Sequence, residues 1–260
     1  VGDGASAAKV KAANRIDRMM SATPTGVIAG RTLRYLKRDP RMVSLLLDIF
    51  LVPLLAAVPM LVNGGDEVRS PQAALIVTAI PFAVMLIATP MYVGSLISYD
   101  GTALWHHIEA SVTGEEDRRG RAIAVLLVTM PVSLVLAVVI TGWCGQWELL
   151  PVVMTEALGA LLLSTGIGSW MGVVNPIRVA ENRKGSGFNS GSSAGAGCLG
   201  GLLGMVAGIP VAIPMIALVV LVAIEENAWW SILLAFVGGL GWSFLVLHFG
   251  IVVGGRRLDR

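Results

Sequence analysis

Six long apolar runs divide this chain, and eighteen of its nineteen Lys and Arg residues fall on one side of them. Only Arg69 falls on the other. Short loops rich in Lys and Arg stay on the cytoplasmic side of a bilayer. The sorting therefore predicts an all-α membrane protein with six transmembrane helices and both termini cytoplasmic. Each run is long enough, because about 20 residues rising ~1.5 Å each cross a hydrocarbon layer of ~30 Å. The chain is 55% hydrophobic and only 14% charged, where a soluble domain carries about 25% charged residues.

The spans are expected at Met42–Val62, Ala73–Ser98, Ala122–Trp143, Leu149–Val174, Gly197–Ile224 and Ser231–Val253. Residues 1–25 form a polar, basic cytosolic arm, 26–41 an interfacial elbow helix, 42–255 the six-span domain with a coupling segment at 99–121, and 256–260 a cytosolic tail. In the elbow, Ile28, Thr32, Tyr35 and Leu36 share one helical side, with Arg31, Arg34, Arg38 and Arg41 on the other. That pattern fits a helix lying in the interface, with Arg31, Arg34, Tyr35 and Arg38 as its membrane anchors. The basic arm points to anionic lipid and not to nucleic acid, since no element for base readout accompanies it. Trp143, Trp147, Trp229 and Trp230 all fall at the outer boundary, the level that indole rings prefer. The fifth run has 28 residues, or ~42 Å as a straight helix. It is expected to tilt, or to break at Pro210 and Pro214 and end in a re-entrant piece. Cys144 and Cys198 map to opposite faces and should not pair. Val1 in place of Met is expected of a processed chain, a truncated one, or a segment of a longer one.

Chemistry-bearing residues are few. Asp100 can cap a helix in which Leu104, Trp105 and Ile108 share a face. This short cytosolic helix either offers an apolar knob to a partner protein or dips Trp105 into headgroups. Asp48 and Glu156 lie inside predicted spans, where an acid costs about 2.5–3.5 kcal/mol. They either line a substrate path or relay protons, or they are structural acids facing water near the two rims. Gly168/Gly172, Gly200/Gly204/Gly208 and Gly250/Gly254 repeat at four-residue spacing, which lets helices approach closely in lipid. His106-His107 lacks a convincing ligand set, so no metal is expected. Gly195–Gly200 matches G-x-G-x-x-G but follows no strand and enters a span, so it fails the dinucleotide context. Gly185–Gly197 reads as a flexible cytosolic linker. No P-loop and no catalytic constellation occurs, so the chain is expected to be no enzyme and to bind no cofactor.

The layout resembles the permease subunit of type-2 ABC transporters. Arg31–Arg41 resembles that family's elbow leading into span one, Asp100-Gly101 with Trp105 resembles its short DG motif after span two, and Arg119-Gly120-Arg121 its basic lead-in to span three. The resemblance covers residues from about 26 to 255. It implies ATP-driven export across a plasma or inner membrane, and ABC-type ATPase subunits, carrying ATP and magnesium, that dock around Asp100, Gly101, Leu104, Trp105 and Ile108. It also implies re-entrant outer helices between spans five and six, and a second six-span half as homodimer or pseudo-dimer. The residues leave open a secondary transporter using Asp48 and Glu156, or a membrane-embedded protein without transport activity. The substrate is not legible.

Overall fold

The computed structural model describes residues 20, 22–38, 40–63, 70–97, 111–174, 194–225 and 228–260. Among them are seven α-helices and no strand: α1 Pro24–Arg38, α2 Pro40–Asn63, α3 Pro71–Ser95, α4 Gly114–Cys144, α5 Leu150–Val174, α6 Ala194–Ile224 and α7 Trp229–Leu258. Five of these elements (α3, α4, α5 with its preceding turn, α6 and α7) are long and apolar enough to cross a membrane. The chain is thus an α-helical protein built for several membrane crossings. In α2 the described apolar stretch is Ile49–Pro59. The arm 1–19 and most of the Gly/Ser-rich linker lie outside the described residues.

Local chemistry sets the helix starts. α1, α2 and α3 each begin at a proline, whose missing N–H costs nothing in a first turn. Ser70 caps α3, accepting from the Ala73 N–H at 3.3 Å. Thr113 and Glu116 form a reciprocal capping box at α4, satisfying two orphan donors. For this reason α4 begins at Gly114, eight residues before the expected span at Ala122, and the charged lead-in forms its first two turns. Gly145 closes α4 with φ 71°, the left-handed conformation that glycine adopts without strain.

α5 is the central helix. It packs against α3, α4, α6 and α7 and is buried on nearly every side. Glycines set two of its contacts. On one side a methyl group at Gly172 would lie 2.6 Å from the Gly94 carbonyl of α3, and one at Gly168 would lie 2.7 Å from that of Pro90. On another, a methyl group at Gly166 would lie 2.7 Å from the Val246 carbonyl of α7, and one at Gly250 would collide with the carbonyl of Gly166 itself. The repeats at Gly168/Gly172 and Gly250/Gly254 are therefore packing surfaces, as their spacing predicts.

Many of the buried hydroxyls bond back into their own helices, while those of Thr89 and Thr165 accept and donate no hydrogen bond. Thr78 donates to the Leu75 carbonyl (3.0 Å), Thr129 to Val125 (2.9 Å), Ser169 to Thr165 (2.7 Å) and Ser243 to Gly239 (2.7 Å), which meets the need for internal satisfaction in lipid. Outward-facing apolar side chains such as Leu55, Val135, Val206 and Phe244 are more than half exposed, as suits a hydrocarbon surround.

The long fifth run departs from one expectation. α6 stays helical through Pro210 and Pro214 and ends at Ile224, with four residues between it and the start of α7 at Trp229. The re-entrant pair implied by the resemblance is not formed. Membrane helices tolerate proline when neighbours satisfy freed backbone groups. Between these prolines, the Trp242 indole N–H of α7 donates to the Val211 carbonyl at 2.8 Å and ties the two helices together.

Candidate functional site

The coupling residues read from sequence, Asp100, Gly101, Leu104, Trp105 and Ile108, lie outside the described residues, as do His106 and His107. The two ends of their segment are described, and both fasten into one corner. Asp117, Arg118 and Arg121 on the first turns of α4 are almost fully buried. Arg118 donates from Nε to Asp117 Oδ2 at 3.0 Å, with its Nη2 on the same oxygen. Arg121 donates from Nε to that oxygen at 2.9 Å and from Nη2 to Oδ1 at 2.8 Å. Its other nitrogen, Nη1, donates to the Leu96 carbonyl that caps α3, at 2.7 Å. One carboxylate thus serves two guanidiniums, and the second ties the end of α3 to the start of α4.

Two more elements enter this corner. The Asp259 carboxylate, just after α7, accepts from the Gly114 N–H at 2.6 Å. Gly255 of α7 faces the same turn so closely that a methyl group there would lie 2.5 Å from the Glu115 nitrogen. From the other side α1 lies across α4 at Gly120, where a methyl group would lie 2.7 Å from the Thr25 carbonyl. The ends of α3 and α7, the start of α4 and the side of α1 therefore meet in one place. Acids in the first turn (Glu115, Glu116, Asp117) also suit the positive end of the α4 dipole. The sequence carried signals for part of this corner. Thr113-x-x-Glu116 is a capping box, and Glu115/Arg119 and Asp117/Arg121 stand four apart, the spacing of helical ion pairs.

α1, the expected elbow, buries Gly26, Ile28, Ala29, Gly30, Thr32 and Leu36, and it packs against α4 and α2. Its apolar face thus rests on protein. Tyr35 departs from the predicted side. It stands 38% exposed and joins the basic face, accepting from Arg31 Nε at 3.2 Å beneath the guanidinium, 5.4 Å from the ring centre. A ring stacked under a cation gains from both contacts. Arg34 is half-buried and Arg38 exposed.

Asp48 lies in α2, its side chain outside the description. Glu156 lies in α5, two turns from its outer end, and is only 2% exposed. The Thr78 hydroxyl is beside it, but its proton goes to Leu75. Neither Glu156 oxygen has a hydrogen-bond partner. Among the described residues no three His, Cys, Asp or Glu side chains gather as a metal would need, and Cys144 is a free thiol.

Comparison with family models, with curated proteins and with solved structures finds no match for this chain.

Proposed function

We propose that the chain is the permease subunit of an ATP-driven exporter in a plasma or inner membrane. In this reading α2 to α7 are its six crossings, α1 is its elbow, and both chain ends are cytosolic. A second six-span half completes the pathway. Separate ABC-type ATPase subunits, which hold ATP and magnesium, dock on the segment after α3. The chain itself hydrolyses nothing.

The observation that carries this reading is the ionic corner on either side of that segment. A loop that transmits force needs ends that do not yield. Here the Leu96 carbonyl, the Asp117 carboxylate and the Asp259 cap fix the segment's flanks to α3, α4 and α7. A push on the segment would move these helices as bodies. Replacing Leu104, Trp105 and Ile108 with Asp should abolish co-purification with an ATPase subunit; retained binding and transport would refute the docking site.

The unpartnered carboxyl of Glu156 favours a second reading, a transporter driven by an ion or proton gradient through Asp48 and Glu156. Transport by the purified protein in liposomes without ATP, lost in Asp48→Asn and Glu156→Gln, would select it.

A further inference from the structure

The walls around α5 are not equally tight. Against α3 and α7, added methyl groups meet backbone at 2.6–2.7 Å. Against α6, a methyl group at Gly204 would meet the Met171 thioether at 3.4 Å and the Pro90 ring of α3 at 3.8 Å, and one at Gly208 the end of Ile167 at 3.9 Å. Nearer the outer side Gly159 faces the flexible thioether of Met215. At the described glycines, the α5–α6 seam is therefore closed by the tips of adaptable side chains and not by interlocked backbones. α6 also carries Pro210 and Pro214, which remove two rungs from its own hydrogen-bond ladder. Of the walls formed by α3, α6 and α7, α6 is the one that can part from α5 at least cost.

Glu156 stands beside Thr78 of α3, and by helical register it points along the side of α5 that turns towards α6. Ile167, which touches α6 at Gly208, stands about three helical turns from it on the same side. Neither buried Glu156 oxygen accepts a hydrogen bond, the Thr78 hydroxyl beside it donating to the Leu75 carbonyl, and all Lys and Arg outside the corner lie beyond the spans. A carboxylate in such a place is costly until a proton or another positive charge neutralises it. A metal ion would need more ligands than the described residues gather there. A bulky apolar cation supplies the charge at one point and covers the surrounding Val, Leu and Ala side chains with the rest of its surface.

We propose that the seam between α5 and α6 at Glu156 is a binding site for apolar molecules bearing one positive charge, and that these are the substrates of the exporter. The substrate role rests on the exporter reading; the site does not.

The test uses tetraphenylphosphonium and its isosteric anion tetraphenylborate with the purified chain in phosphatidylcholine vesicles, after subtraction of uptake by protein-free vesicles. The cation should bind saturably, Glu156→Gln should weaken it at least tenfold, Glu156→Asp should keep it within about threefold, and borate uptake should not respond to the substitutions. Cation affinity in Glu156→Gln equal to wild type, or equal binding of the two ions, overturns the site. Should Glu156→Gln fail to fold, the wild-type chain suffices. Tetraphenylphosphonium should slow carbodiimide modification of Glu156, read as a mass shift on its peptide, and tetraphenylborate should not. No protection by the cation, as when a proton is the only occupant, overturns the site. With an ATPase partner added, binding without ATP-driven uptake leaves the site standing and sinks the exporter, while ATP-driven uptake of another solute without cation binding does the reverse.

Discussion

Two buried acids in this protein should respond to neutralisation with opposite signs. Asp117 accepts from two buried guanidiniums, so Asp117→Asn leaves desolvated positive charge without its counter-charge. Breaking such a cluster costs about 3–5 kcal/mol, which should appear as a lower midpoint of thermal denaturation in detergent. Arg119→Ala, beside it, removes only a pair that is 49% and 39% exposed, to Glu115; the midpoint should barely move, since exposed pairs are worth about 0–1 kcal/mol. Glu156 has no hydrogen-bond donor. Glu156→Met replaces an unsatisfied polar group with an apolar one of similar length and should raise the midpoint by an amount equivalent to about 1–3 kcal/mol. A lower midpoint would mean that Glu156 is satisfied within the packed bundle. The sequence made one of these acids conspicuous and hid the other. Glu156 stands out because it interrupts an apolar run. Asp117 reads as an ordinary loop charge, because its burial depends on α1, α3 and α7 arriving around it from distant parts of the chain. Only its four-residue spacing to Arg121 was visible locally.

At the scale of the helix, glycines separate contacts that cannot yield from positions that can. Gly250→Val would drive a side chain into the Gly166 carbonyl. Overpacking of this kind costs at least ~1–3 kcal/mol, and because backbone meets backbone the neighbour cannot rotate away. Gly241, on the same helix, has nothing within 4 Å. Gly241→Ala should therefore be neutral, or stabilising by up to ~1 kcal/mol through helix propensity. Thermal denaturation of the two variants side by side checks the contrast, and equal loss in both would contradict the packing. These contacts were legible because four-residue glycine spacing in an apolar helix has one common physical use. The course of α6 was not. Proline's local chemistry favours a break, yet Pro210 and Pro214 lie inside one continuous helix, and the sequence pattern does not separate a break from a tolerated proline. Tyr35 shows the same limit on a smaller scale. Its ring fits either face of an amphipathic helix, and Arg31, one turn back, decides the matter by stacking on it.

For the molecule as a whole, the arrangement of ends can be argued from two unrelated signals. Arg31, the Arg118–Arg121 turn and Arg256–Arg257 gather at one end of the bundle, since α1, the start of α4 and the end of α7 touch there. Trp143, Trp147, Trp229 and Trp230 stand at the other end, each more than 40% exposed. Charge follows the retention of Lys and Arg on the cytoplasmic side, whereas indole follows the chemistry of the interface. Neither rule knows of the other, yet both orient the same set of helices. Long apolar helices are written in contiguous runs, and for that reason they were legible in the sequence while the corner, assembled from distant segments, was legible only in part. Single cysteines at Lys37 and Arg257, with Cys144 and Cys198 replaced by Ser, should react with a membrane-impermeant maleimide only when the cytoplasmic face is open. A cysteine at Trp147 should react in intact cells. Labelling of Lys37 and Arg257 positions from opposite compartments would require an odd number of crossings between them. That would remove the ionic corner from the cytosol and, with it, the surface on which an ATPase could act.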